Sequence, residues 1–223
     1  VNFESDEVGS NLSANNEILV AGLELFDLGK IKQKLTKNTT DNARGEDLDG
    51  RTPTNMMLYG TPSKLMDGAK TEDEFMSFLD TGYARRCFFG FSDNNTKNLE
   101  LTPLEIYDML TDKSKNLALE TIADEITDLA DIGYFNRCLT VSKDVTLIMI
   151  EYKTDCEKRA AALNEHESIR KAELSHRYFK ALKLAGAYAF VDGSHMLTED
   201  HLYSAIKLAE ESGKSFEKIL RRE

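Results

Sequence analysis

The spacing of apolar residues in the first part of the chain predicts short strands alternating with helices. Apolar side chains recur at helical intervals from Asn16 to Phe26, which predicts a helix there. The short apolar run at residues 54–59 lies between Pro53 and Gly60. A run of that length, bounded by two residues that interrupt regular structure, favours a buried strand.

The polar and apolar positions that follow predict two more helices and one aromatic strand. Ser63 is placed to cap a helix through residues 64–66. A further helix carries Phe75, Phe78 and Leu79 and ends near residues 81–82. Residues 85–91 include three phenylalanines, and this composition predicts a strand-like segment.

From residue 102 onward the pattern is almost entirely helical. Thr102 and Pro103 form an N-cap and first-turn pair, and Glu105 completes a capping box. The run at residues 145–150 is rich in β-branched side chains, which favours a strand. Ser142 as a cap and the helical pattern that follows favour a helix instead, and we predict a helix.

This helical region has few expected breaks. One long pattern runs from about residue 142 to residue 190, with breaks expected near Gly133 and at residues 192–193. The last helix is predicted to begin at Thr198, because acidic residues in its first turn complement the helix dipole.

Residues 212–215 (Ser-Gly-Lys-Ser) end like a phosphate-binding loop, but the rest of that motif is missing. Leu208 stands where the loop needs its first glycine. The segment also follows a predicted helix, whereas a phosphate-binding loop follows a strand. We therefore predict that Gly213 marks the C-terminal cap of a helix.

These elements together predict an α/β region followed by a mostly α region. The order of strands and helices in residues 1–100 is that of the back half of a P-loop nucleotidase core. Residues 101–223 form a helical C-terminal region, in the place of a lid. We expect two domains with these boundaries.

The composition predicts a soluble globular protein. The chain has 223 residues, of which 41% are hydrophobic and 30% charged, enough for one core or two small ones. Its three cysteines are widely spaced, which supports neither a disulfide framework nor a zinc site. No apolar run approaches the roughly 20 residues that a membrane-spanning helix needs. We expect a cytoplasmic setting and no membrane partner.

The formal net charge of −11 argues against nucleic-acid binding by the chain as a whole. Contacts to phosphate supply most non-specific affinity, and they need basic side chains. One basic cluster departs from this balance and consists of Lys30, Lys32, Lys34 and Lys37. It is either a solvated loop or strand edge, or a loop that faces DNA.

An acidic pair, Asp6 and Glu7, follows a short stretch that can form a strand. In P-loop nucleotidases an acidic pair at the end of a strand holds Mg²⁺ and orients the attacking water. Such pairs are also common on ordinary protein surfaces. The chain begins at Val1 without Met, and no phosphate-binding loop precedes the pair. We therefore expect the sequence to be a segment of a longer protein.

Several short motifs follow one another in a fixed order. They are Phe-Glu-Ser-Asp-Glu at 3–7, Leu-Phe-Asp-Leu-Gly at 25–29, Met-Met-Leu-Tyr-Gly-Thr-Pro at 56–62, Gly-Tyr-Ala-Arg-Arg at 82–86, and the helical stretches 184–193 and 197–206. This order resembles that of phage and plasmid primase-associated helicases. The closing helical stretches are also similar to the lid of minichromosome-maintenance helicases.

The resemblance implies roles in ATP hydrolysis for four charged residues. Asp6 would lie in the coordination shell of Mg²⁺, and Glu7 would polarise the lytic water. Arg85 and Arg86 match the arginine-finger segment, which stabilises charge on the γ-phosphoryl group bound by a neighbouring subunit. Such an arginine implies a homo-oligomeric ring. The local alternative is a pair of surface arginines beside a strand.

The resemblance also implies residues that sense the nucleotide. Thr61 or Ser63 would contact the γ-phosphate or the lytic water, and Arg177 would reach the nucleotide from the lid. The local sequence is equally consistent with a turn and a helix cap at positions 61 and 63. Arg170 and Lys180 are as well placed in the sequence as Arg177.

The function implied by the resemblance is that of the C-terminal part of an ATP-dependent DNA helicase in phage or plasmid replication. It would use ATP and Mg²⁺ in the cytoplasm of the host cell, and this segment by itself would hydrolyse no ATP. A second hypothesis is a non-enzymatic, acidic helical phage protein that binds a replication partner or mimics DNA. A complete enzyme with a novel pocket is a third, but no nucleophile, base and orienting residue converge to support it.

Overall fold

Most of the chain is helical in the computed structural model. The structure describes residues 2–6, 16–30, 54–92, 101–134 and 137–221. These residues contain two small parallel sheets of two strands each, and the C-terminal helices pack together. The expectation of a strand-containing first part followed by a mostly helical part is confirmed at this level.

The chain divides into two compact units. The first unit comprises Val1–Cys87, Ala160–Leu174 and Glu217–Glu223, and the second comprises Phe88–Arg159 and Ser175–Phe216. The division between residues 100 and 101 that we expected from the sequence stays a prediction.

The first unit contains the predicted alternation of strands and helices. Its described elements are β1 (Asn2–Ser5), α1 (Asn16–Leu28), β2 (Asn55–Leu58), α2 (Pro62–Leu65), α3 (Lys70–Phe78) and a π-helical turn (Leu79–Tyr83). The strands β1 and β2 pair in parallel, with Phe3 opposite Met56 and Glu4 opposite Met57. The predicted helix at residues 16–26 and a strand within residues 54–59 are confirmed, but the expectation that this strand is buried is wrong, since Met57 is 57% exposed.

The core of the first unit forms where α3 runs into the π-helical turn. Phe75, Phe78 and Leu79 recur at intervals of three and four residues, so they share one face of the helix, and all three are buried. The ring of Phe78 stacks on Tyr83 with the centroids 4.0 Å apart. This aromatic cluster fixes the position of the turn that leads to Arg85.

The prediction of a strand at residues 85–91 is wrong. Residues 84–86 form a turn, and residues 87–92 have no regular secondary structure. Gly82 has φ of +122°, a conformation that residues with a side chain rarely adopt, and it ends the helical path before Arg85. Further on, Phe89 N donates to Ser212 Oγ over 2.7 Å. The backbone N–H of Phe89 therefore donates to a side chain and not to the backbone of a neighbouring strand.

The chain from residue 101 onward is largely helical, and its last three helices have residues in both units. The described elements from residue 101 onward are α4 (Pro103–Thr111), α5 (Ser114–Leu129), a 3₁₀ turn (Ile132–Tyr134), β3 (Thr140–Val141), α6 (Lys143–Ala161), α7 (Ser168–Val191), β4 (Met196–Leu197) and α8 (Glu199–Arg221). The helix predicted through residues 145–150 is confirmed. Within the described residues, no helix is both long enough and apolar enough to cross a membrane.

The helix caps predicted from the sequence are largely confirmed. Thr102 and Glu105 form the capping box at the start of α4. Val145 N donates to Ser142 Oγ over 3.3 Å, and His201 N donates to Thr198 Oγ1 over 3.3 Å. These contacts depend on residues three positions apart, which is why the local sequence is sufficient to predict them.

Two predictions about breaks in the helical region are wrong. The pattern from 142 to 190 is two helices, α6 and α7, separated by residues 162–167. At this break Asn164 N donates to the Glu167 carboxylate, as in a helix cap. The second error concerns Gly213, which lies inside α8 and does not cap it. The breaks expected near residues 133 and 192–193 are confirmed.

The core of the second unit joins α6, α7 and α8. Its buried residues are Val145, Ala185, Leu197, Leu202 and Ala205. Small alanines on α7 and α8 allow their backbones to approach closely. The short sheet of β3 and β4 holds the end of this core, and Thr140 N donates to His195 O over 3.0 Å.

Candidate functional site

The carboxyl ends of β1 and β2 lie at the same edge of the sheet in the first unit. Because the strands are parallel, Asp6 follows β1 at the edge where Tyr59 follows β2. Tyr59 N donates to Ser5 O over 2.9 Å, which extends the pairing to this edge. Asp6 and Thr61 are both exposed there. Two of the residues expected from the sequence are thus brought to one edge, while Glu7 lies outside the described residues.

A second carboxylate accompanies Asp6 near the end of β1. Glu4 is a residue of the strand and Asp6 follows it directly. The pKa of Tyr59 is raised by desolvation and then by the negative charges of Glu4 and Asp6. The Tyr59 hydroxyl also donates to Met57 Sδ over 2.7 Å. Sequence reasoning missed Glu4, because its closeness to Tyr59 depends on the pairing of two strands that are distant in sequence.

The oxygen donors at this edge are those that Mg²⁺ prefers. Within the described residues, no group of three or more His, Cys, Asp or Glu side chains is placed to hold a metal ion. Mg²⁺ usually needs fewer protein ligands, because it keeps several waters and binds one or two carboxylates together with substrate phosphates. The described residues therefore offer only two carboxylates here, and the binding of Mg²⁺ together with a nucleotide stays a prediction.

The side chain of Thr61 does not form a hydrogen bond with the helix that it precedes. It stands at the N-cap position of α2, but its side chain makes no capping hydrogen bond. Its carbonyl accepts from Lys64 N and Leu65 N over 2.9 and 3.0 Å. Ser63 lies within the helix, so the prediction that it caps α2 is wrong; Pro62 at the first helical position replaces that arrangement. Both side chains are exposed and stay candidates for contact with phosphate.

Arg85 and Arg86 differ sharply in their surroundings. Arg86 Nε donates to Asp27 Oδ1 over 3.0 Å, Nη2 pairs with Asp27 Oδ2, and Nη1 donates to Gly82 O over 3.0 Å. The hydrogen bond with Asp27 is the main reason that the pKa of Arg86 is raised. The guanidinium of Arg86 is therefore bound to Asp27 near the end of α1, and that carboxylate neutralises its charge.

Arg85 makes no hydrogen bond or ion pair with any residue in the part of the chain that the structure describes. It is half-buried in the turn after Gly82. A Cβ at position 82 would lie 3.0 Å from Arg85 Nη2 and 2.7 Å from Arg86 Nη1, so the glycine makes room for both guanidinium groups. Among the described residues, a carboxylate binds Arg86 and none binds Arg85.

Arg177 lies in the second unit and is the most buried member of a partly exposed ionic network. Its Nη1 donates to Glu210 Oε2 over 2.9 Å, and only 5% of the residue is exposed. The same carboxylate accepts from Arg159 over 3.0 Å and from the Tyr152 hydroxyl over 2.8 Å. The role of Arg177 as a nucleotide sensor stays a prediction. Its position in this structure gives it a clear part in holding α7 to α8.

The lack of a side chain at position 213 is what allows Arg177 to occupy this place. A Cβ on Gly213 would lie 2.2 Å from Arg177 Cζ. We expect Gly213→Ala to lower the free energy of unfolding by about 2 kcal/mol, because the guanidinium must leave its buried position or strain the helix. Urea unfolding followed by circular dichroism measures this change.

Gly186 on α7 provides the matched control. A Cβ there would meet Leu139 Cδ1 at 3.8 Å, an ordinary van der Waals distance. Gly186→Ala should raise the stability by up to about 1 kcal/mol, as expected for alanine in a helix interior. A stabilising effect of Gly213→Ala as well would contradict our account of position 213.

The basic cluster is described only at its first member. Lys30 is exposed and follows the end of α1. Lys32, Lys34 and Lys37 lie outside the described residues, so their role in DNA binding stays a prediction.

Searches against protein-family models, curated proteins and solved structures found no match for this chain.

Proposed function

We propose that this chain is the C-terminal part of an ATP-dependent DNA helicase of phage or plasmid replication. One observation carries the proposal. Asp6 and Thr61 lie at the carboxyl edge of two parallel, paired strands, the edge at which α/β nucleotidases bind nucleotide. The pairing joins strands that are about fifty residues apart in sequence, and the motifs at residues 3–7 and 56–62 overlap these two strands.

The residues of this edge have distinct tasks in the proposed reaction. Asp6 would hold the magnesium ion of a bound nucleotide, and Glu4 would add negative charge nearby. When bound, Mg²⁺ neutralises charge on the β- and γ-phosphates of ATP. Glu7, which lies outside the described residues, would accept a proton from the attacking water, and the Thr61 hydroxyl would orient that water or the γ-phosphate.

Arg85 completes the proposed site of a neighbouring subunit. A guanidinium in this role must have no carboxylate of its own to neutralise it, and Arg85 meets this condition within the described residues. The proposal therefore requires a homo-oligomeric ring. In that ring the basic cluster that begins at Lys30 faces DNA, where its lysines neutralise phosphate charge.

The proposal is tested by measuring ATP hydrolysis by the product of the complete reading frame and by the 223-residue chain. We expect the product of the complete reading frame to hydrolyse ATP with Mg²⁺, and single-stranded DNA to stimulate it. The 223-residue chain should show only the background rate, because its sequence holds no phosphate-binding loop. The proposal is wrong if the complete product binds and hydrolyses no nucleotide, or if the 223-residue chain alone is fully active.

A further inference from the structure

The π-helical turn before Arg85 is held in place by the core of the first unit. Ala84 N donates to Leu79 O, five residues earlier, over 3.2 Å, and this spacing is that of a π-helix. Leu79, Tyr83 and Ala84 are all at most 4% exposed. Single π-helical turns are frequent at functional sites. Because buried residues flank Gly82 on both sides, the backbone at this position has little room to move.

The backbone conformation of Gly82 depends on the absence of a side chain. Its φ is +122° and its ψ is 3°, outside the regions that residues with a Cβ ordinarily occupy. The residue is also buried. The backbone therefore requires glycine here, and the space beside its Cα is open to other groups of the turn.

The guanidinium groups of Arg85 and Arg86 occupy that space. A Cβ at position 82 would lie 3.0 Å from Arg85 Nη2 and 2.7 Å from Arg86 Nη1. Favourable contacts between nonbonded atoms of this kind begin at roughly 3.5 Å. Both groups therefore lie closer to the turn than they could beside any other residue type.

A side chain at position 82 would displace Arg85 more easily than Arg86. Arg86 Nε donates to Asp27 Oδ1 over 3.0 Å, and Nη1 donates to Gly82 O over 3.0 Å. No carboxylate among the described residues holds Arg85. Since the core holds the backbone of the turn, the long side chain of Arg85 is the part that yields.

We propose that Gly82 is a positioning residue for Arg85. Its lack of a side chain lets the Arg85 guanidinium lie against the turn, in the place from which it acts on the nucleotide of a neighbouring subunit. The inference rests on the proposed function, and it assigns a task there to a residue that has no functional group of its own. Crowding at position 82 then lowers kcat through Arg85 and leaves the binding of ATP intact.

The test measures ATP hydrolysis by variants of the product of the complete reading frame. Gly82→Ala should lower kcat about ten-fold, since misplacing a catalytic group by about 1 Å costs about 10²-fold and this shift is smaller. Gly82→Asn adds the same Cβ in a residue type that adopts positive φ more readily than alanine, and it should show the same loss even where Gly82→Ala fails to fold. Circular dichroism verifies the fold of each variant, and a fluorescent nucleotide measures binding.

Gly68→Ala is the matched control for backbone strain. Gly68 also has a positive φ, of +76°, but a Cβ there would meet no atom within 4 Å. Substitutions at both positions therefore strain the backbone, and only those at position 82 crowd an arginine. The kcat of Gly68→Ala should stay within a few-fold of that of the unmodified protein.

A double variant separates positioning from a general loss of structure. Gly82→Ala combined with Arg85→Ala should lower kcat no further than Arg85→Ala alone, because the group that Gly82 positions is then absent. A residue that only supported the fold would lower kcat by the same factor in both backgrounds.

The inference is overturned if both substitutions at position 82 leave kcat unchanged in an active protein. It is also overturned if Gly82→Ala causes an equal loss with and without Arg85. An unmodified product that hydrolyses no ATP would overturn the proposed function, and the inference with it. The activity of the unmodified protein therefore distinguishes the two failures.

Discussion

Replacing Arg85 with alanine is expected to lower the kcat of ATP hydrolysis about 10³-fold in the product of the complete reading frame, with ATP binding retained. The reason is that an arginine finger acts on the charge that develops on the γ-phosphoryl group, and contributes little to binding of the ground state. Arg85 is suited to this role because no described residue neutralises it. Steady-state kinetics and a fluorescent-nucleotide binding assay measure the two effects separately.

Arg86 is the matched control for this prediction. It has the same charge and lies in the same turn, but it is bound to Asp27 and to Gly82 O. Arg86→Ala should therefore act through stability, with a loss of about 1 kcal/mol for a partly exposed ion pair. Its kcat should stay within a few-fold of that of the unmodified protein. An equal loss of kcat in both variants would contradict the distinction between the two arginines.

Mixing inactive subunits tests whether Arg85 acts on a neighbour. Asp6→Asn subunits lack the proposed metal ligand, and Arg85→Ala subunits lack the finger. In a mixed ring, some interfaces combine an intact Asp6 from one subunit with an intact Arg85 from the next. ATP hydrolysis should therefore rise when the two variants are mixed. A mixture that stays as inactive as its components would contradict a role in trans.

Local patterns in the sequence predicted most of the described helices and strands of the fold. The capping box at Thr102 and Glu105 involves residues three positions apart, so the sequence contains all the information that it needs. The run at residues 145–150 was ambiguous by composition, and its cap at Ser142 favoured the correct structure. Periodicity and caps are short-range signals, and they succeeded where short-range interactions decide the structure.

The errors arose where distant residues decide the structure. Residues 85–91 have the composition of a strand, but a strand also needs a partner, and Phe89 instead contacts Ser212 and Phe216. Gly213 resembles a helix cap until Arg177, on another helix, is known to occupy the space beside it. Neither contact leaves a periodic signal in the sequence.

In the candidate site, too, the features that depend on local sequence could be predicted and those that depend on long-range contacts could not. The position of Asp6 after a strand could be predicted, because strand ends have local signals. The pairing of Arg86 with Asp27 joins residues 59 positions apart, and nothing in the sequence distinguished Arg85 from Arg86. That distinction comes only from the structure, and it is what makes the first prediction specific to one residue.

Replacing Glu210 with alanine is expected to lower the free energy of unfolding by about 3 kcal/mol. Glu210 accepts hydrogen bonds from Arg159, Arg177 and Tyr152, over 3.0, 2.9 and 2.8 Å in their shortest contacts. The substitution removes a carboxylate from a cation that is almost fully buried, and the cost of burying that charge then falls on the folded state alone. Urea unfolding at neutral pH measures the loss.

Glu157→Ala is the control for this experiment. Glu157 also pairs with a cation, Lys153, but both side chains are largely exposed. Water screens such a pair, so its loss should change the stability little. If both substitutions had the same effect, the contacts of Glu210 with the buried Arg177 would not be the source of the stability.

The dependence of this effect on pH follows from the pKa of Glu210. Burial acts to raise that pKa, but the hydrogen bond from Arg159, the charges of Arg177 and Arg159 and the hydrogen bond from Tyr152 together lower it below 4.5. A carboxyl group with a lowered pKa stabilises the folded state above its unfolded pKa, and the stabilisation is lost as the pH falls through the folded value. The difference between the original protein and Glu210→Ala should therefore be largest at neutral pH and shrink below about pH 4.5. Unfolding curves across the acid range measure it, and a difference that does not change with pH would show that Glu210 stabilises the fold through its size and not through its charge.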